Sequence, residues 1–380
     1  MFVLTPAHQS YAWGSTEAIQ QFAGYGEVGS PLAEIWFGAH PAGRATLSDG
    51  RALADVIAAN PTDALGSKVA AEFGGQLPFL VKLLAPGQAV SLQVHPSKAR
   101  AAEGFAAEAE TQPPEPKFVD ANHKPEMIFA LTDFEGLVGL RPADEAAEVL
   151  AAFSTPVAQR ALVALGPRDD DALREAVRTL ANALVDDVAQ AVEAAKLLAA
   201  DDAGSEIAQA AATLLELEGQ YPGDSGALVS LMLRRVRLAP GESVMVHSGV
   251  PHAYLSGLAL EVMANSDNVF RLGLTPKRVD VDESILNLIT QPATIQRPHD
   301  STASLNVREF KVDVHEDAAL PKRAPERGPK IVISVAGNGE VVLDHETLQL
   351  PQGHAVFVRD GQAPELRGVG TVAVASVPGA

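Results

Sequence analysis

The chain has 380 residues, 47% of them hydrophobic and 20% charged, a globular balance that excludes a disordered or fibrous protein. Its 29 basic and 48 acidic side chains leave a formal charge of −19. Bulk binding to nucleic acid is excluded, because phosphate contacts need clustered Lys and Arg. The absence of cysteine removes disulfides, thiolate nucleophiles and Cys-ligated zinc or iron–sulfur sites, so any metal must sit on His, carboxylate or amide oxygen.

The length suggests roughly two to three domains. Residues 1–6 have no basic region and no long apolar core, so no signal peptide is expected. No apolar run approaches the ~20 residues that span a bilayer, and a soluble cytoplasmic protein is the expectation. Up to about residue 140, apolar runs cut by Gly and Pro predict strands at 78–84, 89–95 and 127–131, with Pro86-Gly87 as a turn. Composition shifts near Pro142. Residues 143–217 are rich in Ala, Glu, Asp and Leu, and Leu173, Val177, Leu180 and Leu184 recur at helical spacing behind the acidic run 169–171. That segment reads as an acidic helical bundle with no chemistry of its own. Strand patterns return after Tyr221-Pro222-Gly223-Asp224, at 227–238, 243–247 and 259–263, with a Pro240-Gly241 turn. Residues 307–377 alternate strands with turns at Gly337-Asn338-Gly339 and Pro351-Gln352-Gly353. Residues 238–246 and 350–358 are alike, both strand, turn, strand, which suggests two related β-barrels. The expected organisation is a discontinuous β unit at 1–142 and 221–306, a helical insert at 143–220, and a second β unit at 307–380.

Gln93 and His95 are two apart in a strand, so both project from one face. Glu126 precedes another strand, and His252 follows a Gly-Val-Pro turn. Together they offer an amide oxygen, two imidazoles and a carboxylate to a divalent metal such as zinc. His247 competes with His252, which is preferred because the turn delivers it to the start of the next strand. A basic set comprises Lys82, Lys98, Lys124, Arg271 and Lys277. Lys82 lies among apolar residues, where an unpaired charge is costly. In an acidic protein these cations point to a phosphorylated or carboxylated small substrate. Dinucleotide, Walker-type and Gly-x-Ser-x-Gly motifs are absent, which weighs against nucleotide hydrolysis, dinucleotide redox chemistry and serine hydrolysis.

Several segments carry a resemblance: residues 11–15 (YAWGS), 33–41 (AEIWFGAHP), 78–82 (PFLVK), 91–96 (SLQVHP), 123–127 (HKPEM), 221–224 (YPGD), 251–257 (PHAYLSG) and 266–271 (SDNVFR). In this order and spacing, the chain resembles the type I mannose-6-phosphate isomerase (phosphomannose isomerase) family. The resemblance implies a mainly β fold, a catalytic cupin-type β-barrel plus a C-terminal cupin-like barrel, with an inserted α-helical domain. It implies one zinc ion per chain on Gln93, His95, Glu126 and His252. The implied activity is zinc-dependent interconversion of mannose 6-phosphate and fructose 6-phosphate through an enediol, an aldose–ketose isomerisation serving mannose metabolism. The catalytic arginine falls on Arg271. His123, Lys124 and Asp267 match polar groups for ring opening and proton transfer, and Glu261 matches a further active-site carboxylate. Ser91, Lys82, Lys277 and Trp13 match positions of substrate or phosphate contact. The proton-transferring base stays open among Glu261, Asp267, His123 and Lys124, all chemically competent. The expected partner is a small phosphosugar, with no nucleic acid or membrane, and a monomer is expected.

Overall fold

Strand side chains alternate between two faces, and that period of two decides how the sheets of this chain stack. The computed structural model describes residues 1–200, 204–291, 295–296, 307–316 and 321–380. Among these, a five-stranded antiparallel sheet runs in the order Leu233–Leu238, Phe134–Leu140, His252–Ser256, Leu92–Val94 and Phe270–Gly273. A seven-stranded sheet runs Ile295–Gln296, Ser243–Val246, Glu126–Ala130, Ala259–Ala264, Phe79–Leu84, Glu34–Phe37 and Ala7–Gln9. The third sheet is built mainly from the C-terminal segment around the long strands Lys330–Leu343 and Glu365–Ser376. The strand Phe2–Thr5 joins it by pairing with Ala355–Val358.

On its outer face the five-stranded sheet presents Leu92, Val94, Leu137, Ala253 and Leu272 to the helices between residues 143 and 220. Its inner face, with Val138, Val236 and Tyr254, meets Leu84, Ile128 and Val244 of the seven-stranded sheet. Phe37, Val81, Phe129 and Val262 point the other way. They enter a core shared with Ile331, Ile333, Phe357 and Ala375 of the C-terminal sheet. Each fully buried Phe, Val or Leu in these layers contributes roughly 1.5–3 kcal/mol. The chain is therefore mixed, with helices, sheet, sheet and sheet in successive layers. Among the described residues the strand pairings form open paths, and none closes into a barrel. Twelve α-helices are described, and none is long and apolar enough to cross a membrane.

The helical segment follows its sequence signals closely. Thr155, Asp169 and Ser205 cap helices Pro156–Ala164, Asp170–Ala181 and Glu206–Gln220 by accepting backbone N–H groups. Leu173, Val177 and Leu180 are buried as the spacing predicts. Leu184 breaks the series at 72% exposed, because the helix ends at Ala181 and Leu184 sits at the start of the next one. Two further expectations are corrected. Residues 227–232 are helical, the strand beginning only at Leu233, because the Asp224 carboxylate takes the Gly226 N–H at 2.7 Å and opens a turn. A short run that is apolar but for Ser230 has no period to tell strand from helix. Gly337-Asn338-Gly339 is not a turn but lies inside the strand Lys330–Leu343, paired with residues 368–370. Gly337 has a φ of 66°, and a Cβ there would meet the Val369 carbonyl oxygen at 2.3 Å. The glycine is needed for an irregular, close strand pairing rather than for a reversal.

Candidate metal centre

Between the two facing sheets, polar side chains replace apolar ones at one end of the interface. Register places them. His252 pairs with Gln93, and Gln93 pairs with Arg271, so three adjacent strands carry these side chains on one rung of the five-stranded sheet. Opposite, Ile128, Glu261, Lys82 and Trp36 share a rung of the seven-stranded sheet. Glu126 and Glu34 lie two residues from that rung and hence on the same face.

His95, Glu126 and His252 come together across the gap, fully or almost fully buried, with one ligating atom of each within 4.8 Å of the others. His252 Nε2 lies 3.2 Å from Glu126 Oε1, and His95 Nε2 lies 3.5 Å from Glu126 Oε2. Both ring tautomers follow from the partners of Nδ1. His95 Nδ1 donates to the Asn268 carbonyl at 2.8 Å and His252 Nδ1 to the Val250 carbonyl at 2.9 Å. In the neutral rings each Nε2 is then a lone pair facing the Glu126 carboxylate, with the Lys124 ammonium 3.5 Å from His95 Nε2. Burial, helped by the Lys124 ammonium, pushes the His95 imidazole down to about 3. Burial by itself would raise the Glu126 carboxyl, but Lys124 and His252 hold it well below the usual carboxylate range. Mutually facing acceptors with fixed tautomers are a donor set that a divalent cation completes, and two imidazoles with a carboxylate suit zinc.

Gln93 Nε2 sits 3.1 Å from His252 Nε2, while its Oε1 lies 3.5 Å from the Ser91 hydroxyl. An amide turn of half a revolution exchanges the two ends and offers the carbonyl oxygen to the cluster. Lys124 bonds Glu126 and lies 3.8 Å from Glu261, and the Tyr254 hydroxyl also donates to Glu126. Lys82 is buried against Glu261 at 3.1 Å and Glu34 at 3.5 Å, with its ammonium 5.0 Å from the Trp36 ring centre. Burial works against its charge, yet Glu261 and Glu34 raise its pKa above the ordinary lysine value. Burial raises the Glu261 carboxyl, opposed by Lys82.

Arg271 differs from every cation above. It is half-buried and has no ion pair among the described residues, and its Nε is buried without an acceptor. Burial lowers its pKa. A half-buried guanidinium without a partner is costly unless an anion arrives. Trp13 stacks on Tyr11 at 5.6 Å, and Lys277, exposed, lies 5.5 Å from the Tyr11 ring. Asp267 is exposed and faces the buried His40 at 3.5 Å. His123 has turned from the cluster to Glu309, at 2.8 Å. Lys98 is exposed and bonds Asn122, outside the cluster.

A family model for the catalytic domain of type I phosphomannose isomerase matches residues 1–143. The mannose-6-phosphate isomerase of Escherichia coli (strain K12) is 34% identical over 377 residues, covering 94% of each chain. That of Bos taurus is 37% identical over 315 residues, 74% of this chain and 71% of its own. The chain belongs to the type I mannose-6-phosphate isomerase family. Its structure superposes on a mutant of phosphomannose isomerase from Salmonella typhimurium with a TM-score of 0.89 at 31% identity, covering 99% of both chains. A mannose 6-phosphate isomerase bound with zinc and yttrium gives 0.88, again at 31% identity and 99% coverage of both. Against this family background, the sequence reading passed over Tyr254, Glu34, His40 and Glu309 as site neighbours. Glu34, Trp36 and His40 do carry a signal, since polar groups at two-residue spacing in the strand-like run 33–41 must share a face. Glu309 carries none.

Proposed function

We propose that this protein interconverts mannose 6-phosphate and fructose 6-phosphate through an enediol, with one zinc ion held by Gln93, His95, Glu126 and His252. The observation that carries the reading is the buried His95–Glu126–His252 cluster, with the unpaired Arg271 on the same rung as Gln93 and His252. Zinc, when bound, supplies Lewis-acid charge that lowers the cost of negative charge on the sugar oxygens. Arg271 adds a fixed positive charge in a dry site, where it stabilises a developing enediolate more than water would. Isomerisation removes a proton from C2 of the aldose and returns one to C1. Lys124 and Glu261 share the face of Glu126 and are the groups assigned to that transfer. His123 and Asp267, each paired with a partner away from the cluster, are assigned to ring opening. Lys82, Ser91, Lys277 and Trp13 are assigned to substrate and phosphate contact, with Lys277 and Trp13 gathered around Tyr11.

We place this chemistry in a cupin-type catalytic unit formed by residues 1–142 and 221–306, with a helical insert at 143–220 and a cupin-like C-terminal unit at 307–380, acting as a cytoplasmic monomer. Zinc-replete protein should turn over mannose 6-phosphate, and its metal content should fall well below one per chain in His95→Ala and Glu126→Ala. Turnover no higher than background in the zinc-loaded protein would sink the activity. Full zinc in both variants would sink the ligand set.

A further inference from the structure

His123 and Lys124 are consecutive, yet their side chains part: Lys124 reaches Glu126, while His123 meets Glu309, 186 residues away. A carboxylate only accepts, so His123 Nε2 carries the proton and donates it to Glu309 Oε1 at 2.8 Å. His123 Nδ1 has no partner among the described residues. The two side chains are 22% and 12% exposed. Glu309 is held firmly in place. Its neighbour Phe310 is fully buried in the core between the seven-stranded and C-terminal sheets, and its Oε2 accepts the Arg308 N–H at 3.1 Å. The pair borders a cavity of about 300 Å³ with Lys98, Asn122 and Glu72.

We infer that Glu309 is a positioning residue of the isomerase site: it locks His123 in the Nε2–H tautomer and leaves Nδ1 as the base, so that the segment leading into the C-terminal sheet completes the catalytic unit. This rests on the isomerase reading, with His123 acting in ring opening. A carboxylate behind an imidazole fixes its tautomer and ring orientation. Consistent with a strong bond, Glu309 is held below the ordinary carboxylate range by His123, although burial opposes this. Lys98 and Glu72 line the same cavity as His123, and Glu72 pairs with Arg308 at 3.1 Å. Glu309 is therefore the carboxylate in direct contact with the ring.

The test compares Glu309→Gln and Glu309→Ala with wild type, in the native and in a His123→Gln background, all zinc-replete. Both variants should lower kcat by about tenfold to a hundredfold, taking as a guide the loss when the hydrogen-bond partner of a metal-ligating histidine is removed. KM should change less than about twofold, because no substrate contact is lost. Zinc content and melting temperature should stay near wild type. In the His123→Gln background neither substitution should cost further activity. An unchanged kcat in either folded variant, or equal losses in both backgrounds, would overturn the inference. A wild-type kcat retained in Glu309→Gln sinks this inference alone, whereas no turnover by wild type sinks the isomerase reading with it.

Discussion

Arg271 is the residue whose surroundings say most about its task. Every other buried cation of the site has a carboxylate within reach, and Arg271 has none among the described residues. If its charge meets the enediolate, kcat and kcat/KM should fall together in Arg271→Ala, by about 10²–10³-fold, as for loss of an oxyanion donor. Zinc content should not change. A raised KM with near-normal kcat would move Arg271 to the phosphate instead. Lys330 poses the opposite problem. It is fully buried in the C-terminal sheet, its ammonium donates to the Glu326 carbonyl at 3.0 Å, and burial lowers its pKa to about 8. The unfolded chain keeps that proton up to pH 10.5, so between about 8 and 10.5 the unfolded state binds more protons and stability rises with pH. Below pH 8 both states are protonated and the burial cost is at its full value. Lys330→Met should therefore stabilise the protein at pH 7, on the order of 2 kcal/mol, and abolish the rise. Denaturant titrations at pH 7 and pH 10 check this, and an undiminished rise in the variant would refute it.

At the scale of elements, strand register assembles the site and helix packing supports it. The helix Lys98–Thr111 lies against Phe118, whose ring meets Phe270 edge-on at 5.2 Å, next to Arg271. Gly104 makes that contact possible, since a Cβ there would lie 2.3 Å from the Phe118 ring. Gly104→Ala should gain about 1 kcal/mol of helix propensity and lose about 1–3 kcal/mol to overpacking against a buried ring. The sum predicts a lower melting temperature and weaker turnover, through the displaced Phe118 and Phe270. A higher melting temperature would show that Phe118 can move aside freely. Element boundaries set by alternation and turns, such as Phe79–Leu84 and Ala259–Ala264, were legible in the sequence. Those of residues 227–232 and 337–339 were not. In the first, an Asp224 side chain overrode an uninformative apolar run, and in the second a partner strand accepted glycines that locally resemble a turn.

For the whole molecule, the consequence of layering is shared cores. Phe37, Phe79 and Leu260 of the seven-stranded sheet pack with Ile331, Phe357 and Ala373 of the C-terminal sheet, and Phe2 pairs across to Phe357. Removing residues 307–380 should uncover one face of the seven-stranded sheet and leave a chain that aggregates, because apolar patches of that size do not persist in water. The intact protein should unfold these two sheets in one calorimetric transition. Two well-separated transitions, with the truncated chain soluble and folded, would contradict a common core.

The amino-acid sequence by itself determined what depends on short-range geometry. Spacing of two in a strand puts Gln93 on the inner face and Leu92 and Val94 on the outer, and capping residues start the helices of residues 143–220. The order of its motifs was enough to place the family. Tertiary structure alone decided which distant groups meet. His95 and His252 face Glu126 because two sheets close over one another, with Nδ1 atoms anchored by carbonyls of Asn268 and Val250. His123 parts from Lys124 because loop side chains obey no period and turn toward whatever partner the fold brings, here Glu309. Contacts between residues 126 or 186 positions apart leave no trace in local pattern, since their energy depends on packing that exists only once the sheets have stacked.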